Sequence, residues 1–140
     1  MNSIKERSFI DTNILVYTDD ASTPEKQAAA ISLLETGWNS GNIIFSTQVM
    51  QEYFVAATKK LSVPVEIVQR RIELLATQNI TSVEQADIIR AIEIHRLYQY
   101  SFWDSLIITI AVKASCKILY SEDMQNKRRI EGLQIINPFK

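Results

Sequence analysis

Short apolar segments alternate with longer helix-like segments along the sequence, and this alternation constrains the fold more than any other feature. Apolar runs typical of strands lie at 7–10, 43–45, around 80, 117–120 and 133–136. The intervening stretches have the apolar spacing and start signals of helices, at 13–17, 24–38, 46–61, 64–75, 84–98 and 102–115. Strands separated by helices form a mainly parallel sheet with both faces covered. The pattern therefore predicts an α/β protein.

The helix start signals refine this prediction. Ser82 and Gln85 have the spacing of a capping box, and Ser101 and Asp104 repeat that spacing. In open α/β sheets, ligands bind at the carboxyl ends of the strands, where the strand order reverses. Residues just after strands are therefore the first candidates for a functional site.

Composition excludes several kinds of chemistry. The 140 residues suit a single domain, which we place at 1–140. One cysteine excludes a disulfide framework or cysteine zinc site, and one histidine excludes a nuclease that needs two. Fifteen basic against sixteen acidic residues argue against a strongly basic nucleic-acid binder, but not against a metal enzyme. Without a membrane-length apolar run or a signal-peptide core at the start, we expect a cytoplasmic protein that does not bind membranes.

Four acids occupy positions that the predicted fold would bring together. Asp11 directly follows the first predicted strand, and Asp123 follows the fourth after two residues. Asp104 begins a predicted helix, and Glu52 lies in the first turns of another. Carboxylates placed close together repel one another, and a divalent cation removes that penalty. Mg²⁺ and Mn²⁺ prefer such oxygen ligands, so the pattern predicts a metal site.

Each acid also has a purely structural interpretation. Asp11 would cap the helix that follows it, and Asp104 would be only the acid of a capping box. Glu52 would be a solvated helix residue, while Glu122 and Asp123 would be turn acids. The joint pattern of the acids, rather than any one of them, therefore favours a metal site.

The sequence resembles a PIN domain of the VapC-type toxin group. Five segments carry this resemblance in order: 9–17 (FIDTNILVY), 46–54 (STQVMQEYF), 100–107 (YSFWDSLI), 119–125 (LYSEDMQ) and the tail 130–139 (IEGLQIINPF). The match spans nearly the whole chain. An isolated Asp-Thr-Asn is a weak signal, whereas five ordered segments at this spacing are a specific one.

The resemblance implies a three-layer α/β/α sandwich around a five-stranded parallel sheet of order 3-2-1-4-5. It also implies a Mg²⁺- or Mn²⁺-dependent endoribonuclease that hydrolyses RNA with metal-activated water. The residues that match the family's catalytic and metal-binding acids are Asp11, Glu52, Asp104 and Asp123. Ser121 matches a Ser/Thr position near the site, and Asn13 lies in the first motif, where it would position a bound water or ligand.

The resemblance further implies two protein partners. A cognate antitoxin would bind the chain and block its site, with an antitoxin Arg or Lys at the metal position. A second copy of the chain would form a homodimer, to which Trp38, Tyr53 and Phe54 would contribute apolar surface.

Two local features leave alternatives open. Lys127, Arg128 and Arg129 form a basic run that is either a solvated loop or a contact to RNA phosphates. Glu122 adjoins Asp123, so either residue would supply the fourth carboxylate, and we favour Asp123.

Other functional classes fit less well. Asn13 stands where a haloacid dehalogenase phosphatase needs a second aspartate, and Asp19 and Asp20 lie too far from the first strand for a receiver domain. The alternative that stays open is a non-catalytic PIN scaffold that binds RNA or a protein partner. The presence of all four acids weakens that alternative.

Overall fold

A six-stranded sheet forms the centre of the computed structural model, which describes residues 4–140. The strands are β1 (Ser8–Ile10), β2 (Ile43–Ser46), β3 (Asn79–Thr81), β4 (Ile118–Tyr120), β5 (Arg129–Ile130) and β6 (Leu133–Ile136). The helices are α1 (Thr12–Tyr17), α2 (Pro24–Ser40), α3 (Thr47–Lys59), α4 (Val65–Leu75), α5 (Gln85–Tyr98) and α6 (Phe102–Lys113). Every residue of β1 and β2 is buried, which requires cover on both faces of the sheet. The predicted α/β architecture is therefore confirmed. Within residues 4–140, no helix has both the length and the apolar character needed to cross a membrane.

The sheet has the order β3-β2-β1-β4-β6-β5. The first five of these strands pair in parallel. The fifth strand of the prediction, 133–136, is β6 of the structure. With this renumbering, the predicted order 3-2-1-4-5 is confirmed for these five strands. The predicted number of strands is wrong by one, because β5 adds an antiparallel edge strand beside β6. The two strands are joined by Glu131 and Gly132, whose φ angles of 52° and 84° are those of a two-residue hairpin turn.

The start of α5 also differs from the prediction. Its capping box consists of Glu84 and Asp87, with the Glu84 amide donating to Asp87 Oδ2 at 2.8 Å, instead of Ser82 and Gln85. Lys113 of α6 explains the shift, because its ammonium donates to the Ser82 carbonyl at 3.3 Å and to Asp87 Oδ2 at 2.8 Å. This tertiary contact selects the later of two possible helix starts.

The strand order reverses between β1 and β4, which are neighbours in the sheet although β2 and β3 lie between them in the chain. Ile10 pairs with Tyr120 at the carboxyl ends of these two strands. The Asp11 amide extends this pairing by donating to the Tyr120 carbonyl at 3.0 Å. The residues after both strands therefore emerge side by side at the point where ligands bind in such sheets.

Candidate metal-dependent active site

Asp11 is the residue that leaves β1 and begins α1. Its Oδ1 accepts a hydrogen bond from the Thr12 amide at 2.7 Å, so Asp11 is the cap of α1 as its structural interpretation predicts. Its Oδ2 accepts from Ser121 Oγ at 2.7 Å and from Asn13 Nδ2 at 3.3 Å. The residue is only 5% exposed. A cap alone needs neither this burial nor a hydroxyl donor from the residue that follows β4.

Burial raises the pKa of Asp11 from 3.8 to about 7. The hydrogen bonds from Ser121 and Thr12 oppose this rise, while the charges of Asp104 and Glu52 add to it. The Asp104 carboxyl also has a raised pKa, first because it is half-buried and then because Asp123 and Glu52 are nearby. These acids therefore share one electrostatic neighbourhood, as their sequence positions predict.

Asn13 connects the acids of β1 and β4. Its Nδ2 donates to Asp123 Oδ2 at 3.0 Å and lies 3.4 Å from Ser121 Oγ. Ser121 Oγ in turn accepts from the Asp123 amide at 3.3 Å while donating to Asp11. Ser121 is fully buried, so its hydroxyl has no competing solvent. The two supporting residues predicted from the sequence thus bind both strand-end acids directly.

The side chains of Glu122 and Asp123 point to different partners. The Glu122 carboxylate accepts hydrogen bonds from Lys26 Nζ and from Tyr17 OH, whereas Asp123 accepts from Asn13. Of the two candidates for the fourth acid, the structure places Asp123 with the other site residues.

Glu52 is held by two residues that the sequence reasoning did not single out. Thr12 Oγ1 donates to Glu52 Oε1 at 2.6 Å, and Gln48 Nε2 donates to Oε2 at 3.2 Å. The Gln48 amide also reaches the Trp103 carbonyl at 3.3 Å, which ties α3 to the first turn of α6. The signal for Gln48 was its position four residues before Glu52, on the same face of α3. The signal for Thr12 was its place between the two site residues of the first motif.

Asp104 lies in the first turn of α6, as predicted. Its amide donates to Ser101 Oγ at 3.1 Å, which is the N-cap half of the predicted capping box. The neighbouring Trp103 is 61% exposed and borders the same region.

A groove of about 850 Å³ runs past Glu52 and Asp123, whereas Asp11 and Asp104 are not among the residues that line it. Its lining combines the polar site residues with apolar side chains of α1 and α3 and two lysines at the end of α3: Thr12, Asn13, Val16, Tyr17, Asp20, Gln48, Gln51, Glu52, Val55, Ala56, Lys59, Lys60, Leu61, Trp103, Glu122 and Asp123. Glu52 and Lys59 are seven residues apart on one face of α3, about 10 Å along its axis. A chain-like ligand in this groove would meet acidic groups and cations in turn.

The predicted basic run lies outside this groove. The Arg128 guanidinium stacks over the rings of Tyr98 and Tyr100, with centroid distances of 5.8 and 5.1 Å. Arg129 is an exposed residue of the edge strand β5, and Lys127 is also exposed. None of the three lysine and arginine side chains is among the residues that line the groove.

The donor chemistry of the site fits a hard divalent cation, since carboxylate, amide and hydroxyl oxygens are what Mg²⁺ and Mn²⁺ prefer. Among residues 4–140, no lysine or arginine forms an ion pair with any of the four acids. The buried Gln48 Oε1 beside Glu52 has no hydrogen-bond partner in this part of the chain. However, no three acidic, histidine or cysteine side chains of residues 4–140 form a ready-made metal cluster.

The chain belongs to the PIN domain family, whose sequence model matches residues 8–131. A comparison with curated protein sequences finds no significant match.

Three solved structures have a similar fold. A toxin–antitoxin complex from Klebsiella pneumoniae has a TM-score of 0.68 at 23% identity, covering 94% of this chain and 97% of the other. VapC20 of Mycobacterium tuberculosis, a toxin that cleaves the sarcin–ricin loop, has a TM-score of 0.66 at 18% identity, covering 83% and 89%. VapBC2 of Rickettsia felis, bound to a DNA fragment from its promoter, has a TM-score of 0.61 at 20% identity, covering 91% and 96%.

Proposed function

We propose that this chain is a single PIN domain that acts as a divalent-metal-dependent endoribonuclease and as the toxin of a type II toxin–antitoxin system. The observation that carries the proposal is the state of Asp11. This carboxyl is buried at the switch point of the sheet, held by Ser121 and Asn13, and faces further acids with no basic partner in residues 4–140. Such an arrangement costs stability unless a cation neutralises it.

The four acids have the roles of ligands in this proposal. Asp11, Glu52, Asp104 and Asp123 would hold Mg²⁺ or Mn²⁺, directly or through water. When bound, the ion supplies Lewis acidity, which neutralises charge on a phosphodiester and lowers the pKa of water. The groove would give an RNA strand access to the two acids that line it, Glu52 and Asp123.

The neutral residues around the acids orient them. Asn13 and Ser121 fix Asp11 and Asp123 relative to each other. Thr12 fixes one oxygen of Glu52. Hydrogen bonds of this kind restrict the orientations of the carboxylate oxygens, which lowers the cost of ordering these oxygens around an ion.

The test of the enzymatic proposal is RNA cleavage by the purified chain. We expect cleavage of structured RNA in Mg²⁺ or Mn²⁺, and complete loss of cleavage in EDTA that is reversed by excess metal. Cleavage that persists in EDTA would contradict the proposed chemistry. Binding of RNA without any cleavage would favour the non-catalytic scaffold.

In cells, the toxin proposal predicts slower growth when the chain is produced alone. Production of its cognate antitoxin should restore growth by filling the groove, whose acids suit an Arg or Lys side chain of the antitoxin. Sequencing of RNA 5′ ends after brief induction would identify the target RNA. Unchanged growth, with no small partner protein bound, contradicts the toxin proposal.

The three apolar residues that we expect to contribute to the homodimer differ in exposure. Tyr53 is only 2% exposed and donates to Asp19 Oδ2 at 2.6 Å, Trp38 is half-buried, and Phe54 is 37% exposed. For the homodimer implied by the resemblance, we propose that a second copy covers the outer face of α5, where Ile89 is 59% exposed and has apolar neighbours at 88 and 92. Helix α5 packs on α6 with its other face.

This proposal predicts that Ile89→Glu converts a dimer into a monomer, because a charge would be buried in the interface. Sedimentation velocity measures the change. Ile31→Glu, at an exposed apolar position of α2, is the control and should stay dimeric. A monomeric native chain, or an unchanged Ile89→Glu dimer, would show that α5 is not the interface.

A further inference from the structure

A cluster of three side chains lies beside the acids and takes no part in the function proposed above. Lys26 Nζ donates to Glu122 Oε2, and Tyr17 OH donates to Glu122 Oε1 at 2.5 Å. Lys26 Nζ also lies 3.4 Å from Tyr17 OH, and it sits over the rings of Tyr17 and Phe139 at 5.1 and 5.6 Å from their centroids. Each oxygen of the Glu122 carboxylate therefore has its own donor, one on α2 and one on α1.

The position of Lys26 is unfavourable for its own helix. It lies in the first turn of α2, where the positive end of the helix dipole disfavours a cation. Neighbouring Glu25 is the residue type expected there. The contact with Glu122, and not the stability of α2, therefore accounts for a lysine at this place. The contact is partly exposed to solvent, since the Lys26 side chain is 41% exposed and the Glu122 side chain is 22% exposed.

Glu122 connects this cluster to the site through its backbone. It stands between Ser121 and Asp123, and its amide donates to Asn13 Oδ1 at 3.2 Å. This bond orients the Asn13 side chain so that its amide nitrogen faces Asp11 and Asp123. A displaced Glu122 would release the Asn13 oxygen and let the side chain rotate away from both acids.

We propose that Lys26, Tyr17 and Glu122 form a clamp that positions Ser121, Asp123 and Asn13 for catalysis. The clamp holds the segment after β4 against α1 and α2, at the point where the strand-end acids meet. Lys26 and Glu122 are positioning residues in this proposal, since they act on the site through Asn13 and Asp123. The catalytic consequence rests on the proposed nuclease function, whereas the structural consequence does not.

Lys26→Met tests the clamp, because it removes the ammonium and keeps most of the aliphatic stem. We expect the side-chain amide resonances of Asn13, measured by NMR on the metal-free protein, to shift in this variant and to return in Lys26→Arg. Lys5→Met is the matched control, since Lys5 is exposed and precedes the amino end of β1, whereas the site lies at the carboxyl end. Misplacement of the acids should also lower kcat about tenfold or more, with KM changed by less than about twofold.

The two readouts separate the possible failures. If the Asn13 resonances in Lys26→Met move no more than in Lys5→Met, the clamp proposal is wrong, whatever the activity. If the resonances shift as expected but the native chain cleaves no RNA, the clamp stands and the proposed nuclease function fails. Should Lys26→Met not fold, Glu122→Gln provides the same test, because it removes the ion pair and keeps an amide oxygen for Tyr17. Glu122→Gln with native Asn13 resonances would likewise overturn the clamp.

Discussion

Asp11→Asn should slow RNA cleavage by roughly a thousandfold and yet make the metal-free protein more stable at neutral pH. Asparagine keeps the oxygen that caps α1 and can accept from the Thr12 amide, and the Ser121 hydroxyl can turn to accept a hydrogen bond. Asn13 Nδ2 loses its acceptor on residue 11 and keeps the one on Asp123. The substitution removes a buried negative charge that faces other acids. Removal of a metal ligand that lowers the activation free energy by about 4 kcal/mol should slow cleavage by roughly a thousandfold.

The stability effect depends on pH in a defined direction. The pKa of Asp11 is raised from 3.8 to about 7 on folding, so between these values the folded state binds a proton that the unfolded state has lost. Stability therefore falls as the pH rises from about 4 to about 7, and the penalty is complete above 7. At about 1.4 kcal/mol for each pKa unit, the penalty is on the order of 4 kcal/mol.

Urea unfolding in EDTA at pH 4, 5.5 and 8 measures this effect as the difference between the native chain and Asp11→Asn. The difference should be small at pH 4 and largest at pH 8. Asp87→Asn is the control, because Asp87 is also buried but has a lowered pKa. Burial alone would raise the pKa of Asp87, and the hydrogen bonds from Lys113 and the Glu84 amide outweigh that effect. That variant should lose stability at neutral pH and keep its cleavage activity. Loss of stability in Asp11→Asn at pH 8 would contradict the buried-charge interpretation.

Asp11 and Asp123 could be predicted from sequence because a local rule identifies them. Each follows an apolar strand, and the carboxyl ends of parallel strands that are neighbours must lie together. The order of β1 to β4 and β6 was predictable through the family resemblance, since the ordered motifs identify a known topology. The edge strand β5 was missed because two residues are too few to show the alternation of apolar and polar side chains that marks a strand. This strand is defined only by its pairing with β6.

The partners of the acids could not be predicted in this way. Glu122 and Asp123 are adjacent and chemically alike, and the choice between them depends on Lys26, which is distant in sequence. From sequence, Gln48 could be predicted only as a residue of α3, because its contact with the Trp103 carbonyl of α6 depends on the tertiary fold. The cap of α5 likewise moved because Lys113 binds Asp87. In each case a long-range tertiary contact selected among options that were locally equivalent.

The same buried carboxyl leads to the second large effect, which is stabilisation by metal. Mn²⁺ should raise the free energy of unfolding of the native chain at pH 8, by about 2.7 kcal/mol at a hundredfold excess over its Kd. A cation that binds Asp11 must displace the proton held below pH 7, so its affinity should increase with pH up to about 7 and then level off. Calorimetric titration at pH 6 and pH 8 measures this trend.

Asp104→Asn decides whether the stabilisation comes from this site. The variant keeps the size of the side chain and the Ser101 cap, which uses the backbone amide of residue 104. It removes a half-buried carboxyl whose pKa is raised by burial and by the charges of Asp123 and Glu52, so the variant should fold well without metal. We expect it to lose most of the Mn²⁺ stabilisation, while the affinity that is left should still increase with pH, because Asp11 is unchanged. Equal stabilisation of the native chain and of Asp104→Asn would show that the ion binds elsewhere. If neither Mn²⁺ nor Mg²⁺ stabilises the native chain, the non-catalytic scaffold is favoured over the nuclease.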